Sequence, residues 1–163
     1  MVAIPWTRTT PKAGKGARNN MPGSYWIDPS RNTVFSRCWG IFTDEELIAH
    51  ATTLRADARF APSFRQIADF RGLEGLHVTA EAVTRIARDN PFPRDARRAV
   101  VVGSDAVYGM VRMFEVRMDA DPAQFAIFRA IEPALEWIGL DPGTPWPTRV
   151  ADGMFGVGSG GAP

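Results

Sequence analysis

The chain has 163 residues, of which 45% are hydrophobic and 23% charged, and its formal net charge is +1. These values are typical of one folded domain with a hydrophobic core. No apolar run approaches the ~18 residues that cross a bilayer, no signal-peptide pattern opens the chain, and the balanced charge argues against a dedicated nucleic-acid-binding protein. The one cysteine, Cys38, cannot form an internal disulfide, which fits the cytoplasmic location that we expect.

Glycine, proline and charge predict three segments. Residues 1–23 contain four basic residues, three prolines and no acidic residue, so we expect a flexible basic arm that either contacts an acidic partner or is simply solvated. Residues 139–163 contain seven of the 15 glycines, and this composition gains little free energy by ordering. We therefore expect a Gly/Pro-rich tail there, with the folded domain at 24–138.

The first predicted elements are two short segments rich in aromatic and β-branched residues, at 24–28 and 33–39. A Pro-Ser-Arg-Asn turn sequence separates them, so they predict an antiparallel hairpin, and we expect Gly40 to end its second strand. Thr43 lies three residues before Glu46, which is the spacing of a capping box. This pair predicts the start of the first helix.

The second half of the chain alternates predicted strands and helices. Residues 64–70 predict a third strand that ends in a turn at Gly72, and Thr79 is expected to cap a second helix. The apolar run at 99–102 predicts a strand covered on both faces, and Ser104 precedes a third helix.

A fifth strand is predicted at 124–128 and a fourth helix at 130–138. The resulting order, ββαβαβαβα, requires crossover connections between parallel strands. We therefore predict a single-domain α/β fold, with a mixed five-stranded sheet and about four helices packed on it.

Six segments, in this order and spacing, resemble the SpoIIAA-like family of small bacterial proteins, which are relatives of STAS domains and are compared with SEC14 lipid carriers. The most specific segment is Tyr-Gly-Met-Val-Arg-Met-Phe at 108–114. The six segments are 25–28, 40–47, 64–73, 98–102, 108–115 and 134–138. The resemblance implies a STAS-like five-stranded domain, often paired as a dimer, without known catalytic activity and with a proposed role in carrying or sensing nonpolar small molecules.

One position departs from the STAS regulators, which are switched by phosphorylation at an Asp-Ser-Ser-Gly turn. The corresponding turn here is His77-Val78-Thr79-Ala80, and it lacks the serine pair. Thr79 could receive a phosphate at the helix start or act only as an N-cap. We do not expect a serine-phosphorylation switch.

The sequence offers no recognisable catalytic or metal-binding motif. The two histidines, His50 and His77, have no metal-ligand spacing with neighbouring residues. The glycine-rich stretches lie in the predicted arm and tail, not between a strand and a helix, so they do not predict a phosphate-binding loop. Cys38 is expected to pack as a small hydrophobic residue. We therefore predict no enzyme activity, no metal and no cofactor.

Charged residues near apolar segments are candidates for binding a polar group. Asp69 and Arg71 lie at the end of the third predicted strand, where open α/β sheets place ligands, and they either bind a head group or pair with each other. Arg112 interrupts an apolar stretch of the third helix, so its guanidinium either binds an anion or faces water.

Adaptable apolar side chains on the third helix are candidates for the ligand-binding surface. Met110, Met113 and Phe114 supply two flexible thioethers and a ring, which suit an apolar pocket or ordinary core packing. We predict a non-enzymatic protein that binds a small, largely nonpolar molecule between the third helix and the sheet, with Arg112 or Arg71 holding an acidic head. The alternative is a regulatory protein–protein interaction module acting as a homodimer. Neither function involves specific nucleic acid or a membrane span.

Overall fold

The protein is described here by a computed structural model covering residues 23–146. Five strands form one mixed sheet, and four helices pack on its faces. The elements are β1 Gly23–Asp28, β2 Thr33–Thr43, α1 Asp44–Ala56, β3 Arg65–His77, α2 Ala80–Arg88, β4 Arg98–Val102, α3 Asp105–Arg117, β5 Phe125–Phe128 and α4 Ile131–Trp137. The predicted mixed α/β architecture and element order are confirmed. The predicted arm, except for Gly23, and the tail beyond Trp146 lie outside the described residues.

The strands lie in the sheet in the order β1-β2-β3-β4-β5. β1 and β2 pair antiparallel, which confirms the predicted hairpin, whereas every other neighbouring pair is parallel. Each parallel pair is joined by a helix, as parallel connections require. All residues of β4 are buried, which confirms the prediction of a strand covered on both faces.

Two strand ends differ from the prediction. β2 does not end at Gly40 but continues to Thr43, and its pairing register with β3 shifts between Arg37 and Trp39 and again between Gly40 and Ile41. Gly40 has a φ of +68°, the left-handed conformation that glycine adopts freely, so it permits this irregularity within the strand. Gly72 does not form a turn either. It lies inside β3, where a Cβ would be 3.1 Å from both the Cys38 carbonyl oxygen and the Trp39 Cβ.

Capping residues begin three helices at the predicted positions. The Thr43 backbone N–H donates to Glu46 Oε2 at 2.7 Å. Thr79 Oγ1 accepts from the Ala82 N–H at 3.2 Å, and Ser104 Oγ accepts from the Val107 N–H at 3.3 Å. These bonds satisfy backbone groups that the first helical turn leaves without partners.

The helices cover the two faces of the sheet unequally. On one face, Val100 and Val102 pack in a cluster with side chains of α1, α2 and α3. On the other face, Ala99 and Val101 pack with α4 in a second cluster. The alternation of strand side chains produces this division. Leu140 and Trp146, which fall in the predicted tail, pack against the second cluster.

Candidate functional site

A cavity of about 90 Å³ lies between the sheet and helices α1, α2 and α3. Its volume is several times the 10–15 Å³ or so that one water molecule needs, and smaller than the roughly 150 Å³ cavity that accepts benzene. Most of its lining is apolar. The apolar lining includes Leu47, Leu54, Ala68, Val100, Met110 and Phe114.

Helix α3 contributes part of the predicted ligand-binding set to this cavity. Met110 and Phe114 are four residues apart, so both lie on the helix face turned to the sheet, and both line the cavity. Met113 packs against the surrounding cluster without lining the cavity. Of the three apolar residues predicted to bind the ligand, the structure therefore brings two, Met110 and Phe114, together in the cavity wall.

The first residue of β4, Arg98, places a buried guanidinium in the cavity wall. Arg98 is only 8% exposed. Its Cζ lies 4.7 Å from the ring centroid of Phe92, 5.3 Å from that of Phe114 and 5.8 Å from that of Phe125. Among the described residues, no carboxylate lies within ion-pair distance of it. Burial lowers the pKa of Arg98 to about 9, so the group remains a cation at neutral pH.

A short chain of hydrogen bonds to uncharged side chains orients this guanidinium. Gln66 Oε1 accepts from Arg98 Nε at 3.0 Å and from Nη2 at 2.7 Å, while Gln66 Nε2 donates to Ser36 Oγ at 3.1 Å. Arg98 and Gln66 are register partners on neighbouring strands, which places them side by side. The contacts of Nη1 are longer, at 3.4 Å to Asn90 Oδ1 and 3.3 Å to Met118 Sδ.

His50 contributes a second titratable group from α1. Its residue is 8% exposed, and its ring lies edge-on to Tyr25 with the centroids 6.0 Å apart. Burial lowers the pKa of His50 to about 4, so the imidazole is neutral at pH 7. Among the described residues that line the cavity, Arg98 is therefore the one that is charged at neutral pH.

Arg112, which the sequence predicts as a candidate for holding an acidic head, lies on the solvent side of α3. It is exposed and forms an ion pair with Glu115, one turn further along the helix. The sequence allowed Arg112 either to bind an anion or to face water, and in the structure it faces water. Arg112 does not line the cavity.

Asp69 and Arg71 lie on the α4 side of the sheet, opposite the cavity. Asp69 alternates with the cavity-lining Ala68 and Phe70 along β3. Its carboxylate accepts from Arg71 Nε at 2.9 Å and lies 3.3 Å from Arg37 Nε. Burial raises the pKa of Asp69, but the hydrogen bonds and charge of Arg71, with the charge of Arg37, outweigh it and lower that pKa below its usual range.

The structure therefore separates the predicted charged residues from the predicted apolar ones. Met110 and Phe114 line the cavity, whereas Asp69 and Arg71 form an internal ion pair on the other face. The charged group that the cavity contains is Arg98, which sequence reasoning missed. One feature of the sequence could have pointed to Arg98: it is a charged residue directly before the apolar run at 99–102. The third predicted strand, which contains Gln66, could have been recognised as the neighbour of this run.

Thr79 and Cys38 both have roles in the fold: Thr79 is a helix cap, and Cys38 is part of the core. Thr79 caps α2 and its hydroxyl donates to Asp44 Oδ2 at 2.7 Å, so a phosphate on that oxygen would lie beside a carboxylate and be repelled.

Cys38 is fully buried, which confirms the predicted packing. Burial, with the charges of Asp69 and Glu46, raises the pKa of its thiol well above the usual range.

Comparison of the chain with protein-family models, with curated proteins and with solved structures gives no match. Within residues 23–146, no three His, Cys, Asp or Glu side chains are grouped so that they could hold a metal ion. The four helices of that region are also too short or too polar to cross a bilayer.

Proposed function

We propose that the protein is a non-enzymatic binding protein that holds a small, largely nonpolar molecule in the cavity between the sheet and helices α1, α2 and α3. The observation that supports this function is the apolar cavity of about 90 Å³, with Met110 and Phe114 in its wall. Apolar pockets with a few converging polar groups are the usual form of small-molecule sites. Methionine adapts its shape to different ligands, which suits a binding surface of this kind.

The size of the cavity sets the scale of the affinity. Burying about 100 Å² of apolar ligand surface contributes about 2.5 kcal/mol before the cost of association. A dissociation constant of 1 mM corresponds to about 4 kcal/mol. A neutral apolar ligand of this size is therefore expected to bind in the millimolar range or more weakly.

A relationship to the SpoIIAA-like family, with its STAS-like fold and a cytoplasmic location, is part of the same proposal. The element order and the five-stranded mixed sheet with four helices agree with what that resemblance implies. The regulatory alternative has less support. The exposed large hydrophobic residues of the described region, Ile41, Tyr108 and Val116, are single side chains of a kind common on protein surfaces.

Filling the cavity tests the proposed function. In the wild-type protein, n-propanol is expected to shift the methyl NMR signals of Leu54 and Val100 saturably, because both side chains line the cavity. Met110→Trp places a larger side chain in that space and is expected to abolish these shifts, with the far-ultraviolet circular dichroism spectrum unchanged.

The matched control is Val116→Trp, on the same helix but at a residue that is 70% exposed. This variant should bind n-propanol as the wild type does. Shifts that persist in Met110→Trp, or that spread over exposed methyl groups without saturation, would count against binding in the cavity.

A further inference from the structure

The buried charge of Arg98 lacks a counterion within the described part of the chain. Its neighbours there are three phenyl rings, the Gln66 amide and the weaker contacts to Asn90 and Met118, all of them neutral. Aromatic faces and an amide oxygen stabilise a guanidinium, but they do not neutralise it. A buried charge without an opposite charge is costly, so its presence in a cavity wall indicates a site completed by an anion.

Hydrogen-bond donors remain for such an anion. Gln66 Oε1 is the acceptor for Nε and for one N–H of Nη2, and no described residue accepts the second N–H of Nη2. Nη1 donates to Asn90 Oδ1 at 3.4 Å and to Met118 Sδ at 3.3 Å. Ser36, which lines the same cavity, accepts from Gln66, and its own hydroxyl proton has no acceptor among residues 23–146. The wall thus combines one fixed positive charge with two donors that have no acceptor among the described residues, the second N–H of Nη2 and the Ser36 hydroxyl.

Charge and size narrow the class of anion. A phosphate monoester carries a charge of about −1.5 to −2 at pH 7, and Arg98 would leave part of that charge uncompensated. A carboxylate carries one negative charge and matches the planar guanidinium. By proportion with a cavity of about 150 Å³ that accepts benzene, about 90 Å³ accommodates roughly four non-hydrogen atoms, or slightly more if Met110 changes rotamer.

We propose that the ligand is a short monocarboxylate of roughly two or three carbons, with its carboxylate paired to the Arg98 guanidinium and its alkyl group against the apolar wall near Met110 and Phe114. This inference rests on the proposed function and adds the chemical class of the ligand. Arg98 takes the place that the sequence had suggested for Arg71 or Arg112.

The test compares propionate with propionamide, which has nearly the same shape but no charge. Titration of the full-length protein, followed by NMR, is expected to show propionate binding at least about tenfold more tightly than propionamide, because the ion pair of a carboxylate with the guanidinium is stronger than the hydrogen bond that a neutral amide accepts from it. In the wild-type protein, the ¹⁵Nε signal of Arg98 should move with propionate and stay in place with propionamide. This readout requires no variant.

Two substitutions complete the experiment. Arg98→Met keeps an unbranched side chain but removes the guanidinium and its charge, and it should reduce propionate binding at least about tenfold, to the level of propionamide or below. Arg112→Met removes an exposed arginine of α3 and should leave binding unchanged. If Arg98→Met does not fold, Arg98→Lys, which retains a cation without the planar donor set, should weaken propionate binding and leave propionamide unaffected.

The outcomes separate this inference from the proposed function. Equal binding of propionate and propionamide in the cavity, or an Arg98 signal that ignores propionate, would overturn the carboxylate assignment and leave the apolar binding function standing. If neither compound nor n-propanol shifts the cavity methyl signals, both proposals are wrong.

Discussion

The buried side chain of His50 makes the stability of the protein depend on pH. Its imidazole is neutral in the folded protein because burial lowers its pKa from 6.5 to about 4. The Tyr25 ring lies edge-on to it, and the buried Cys38 is close, because a Cβ on Gly23 would be 3.4 Å from Cys38 Sγ and 3.8 Å from His50 Nδ1. The unfolded chain binds a proton below pH 6.5 that the folded chain does not bind until about pH 4, so stability falls as the pH is lowered through this interval.

The expected loss between pH 6.5 and pH 4 is about 3 kcal/mol for this one group. Urea unfolding across this interval measures it. Carboxylates with lowered pKa, such as Asp69, lose most of their contribution below their unfolded value of 3.8, so they add to the slope only at the acidic end of this interval. His50→Gln should therefore remove most of the slope between pH 6.5 and pH 4, whereas His77→Gln, at the exposed histidine, should keep it. An unchanged slope in His50→Gln would contradict the assignment.

Asp69 lies on the strand that the sequence predicts, but together with Arg37 and Arg71 it lies away from the cavity. Asp69 is 4% exposed and contacts Arg71 and Arg37 on the face covered by α4. Adjacent strand residues point to opposite faces, so one step along β3 separates Asp69 from the cavity. Its ion pairs therefore stabilise the opposite side of the sheet and do not contact a ligand in the cavity.

At the scale of elements, the β2–β3 pair is longer than local patterns indicate, and two glycines permit its irregular pairing. Gly40 supplies the left-handed conformation, and Gly72 allows β2 to approach β3 closely near Trp39. The pair extends beyond the register shifts, so β2 and β3 remain hydrogen-bonded up to Thr43 and His77. The start of α1 is thereby held next to the end of β3, where Asp44 reaches Thr79.

A pair of Gly→Ala substitutions tests this account of the elements. Gly72→Ala places a Cβ 3.1 Å from the Cys38 carbonyl oxygen, and the backbone must shift to relieve this contact, so we expect a loss of about 1–3 kcal/mol in the free energy of unfolding. Gly109→Ala, in the middle of α3, meets no atom within 4 Å and should stabilise the protein by up to about 1 kcal/mol.

Urea denaturation of both variants provides the measurement. A Gly72→Ala protein as stable as the wild type would show that the approach of β2 to β3 imposes no constraint at this position. Destabilisation by Gly109→Ala would show that α3 requires glycine for a reason other than space.

At the scale of the whole molecule, the sheet has a helical layer with a cavity on one face and a thinner cover on the other. That second cover consists of α4 and the residues that follow it. Trp146 packs edge-on against Phe35, with the ring centroids 5.4 Å apart, and the Arg37 guanidinium lies 5.1 Å from the Trp146 ring. The segment after α4 therefore covers strand β2 although its glycine and proline content predicts a tail.

Trp146→Ala tests whether this cover stabilises the fold. Loss of the ring contact and its buried area is expected to cost about 2 kcal/mol in the free energy of unfolding, measured by urea denaturation. Pro145→Ala, at the exposed neighbouring position, should change that free energy by less than about 0.5 kcal/mol. A Trp146→Ala protein as stable as the wild type would mean that Trp146 contributes nothing to stability.

The sequence alone determined the features that depend on neighbouring residues. Helix starts at Thr43, Thr79 and Ser104 were predictable because a cap acts on a backbone group only two or three residues away. The hairpin and the buried strand β4 were predictable because alternating or continuous apolar residues and turn residues act over short distances.

Only the tertiary structure decided which distant residues meet. The end of β2 depends on pairing with β3, more than 20 residues later in the chain, so Gly40 could not show locally that the strand continues. The environment of Arg98 depends on Phe92, Phe114 and Phe125, which come from three separate segments. A charged residue beside an apolar run is equally compatible with solvent and with a cavity, and it is the packing of these rings around the guanidinium that buries Arg98.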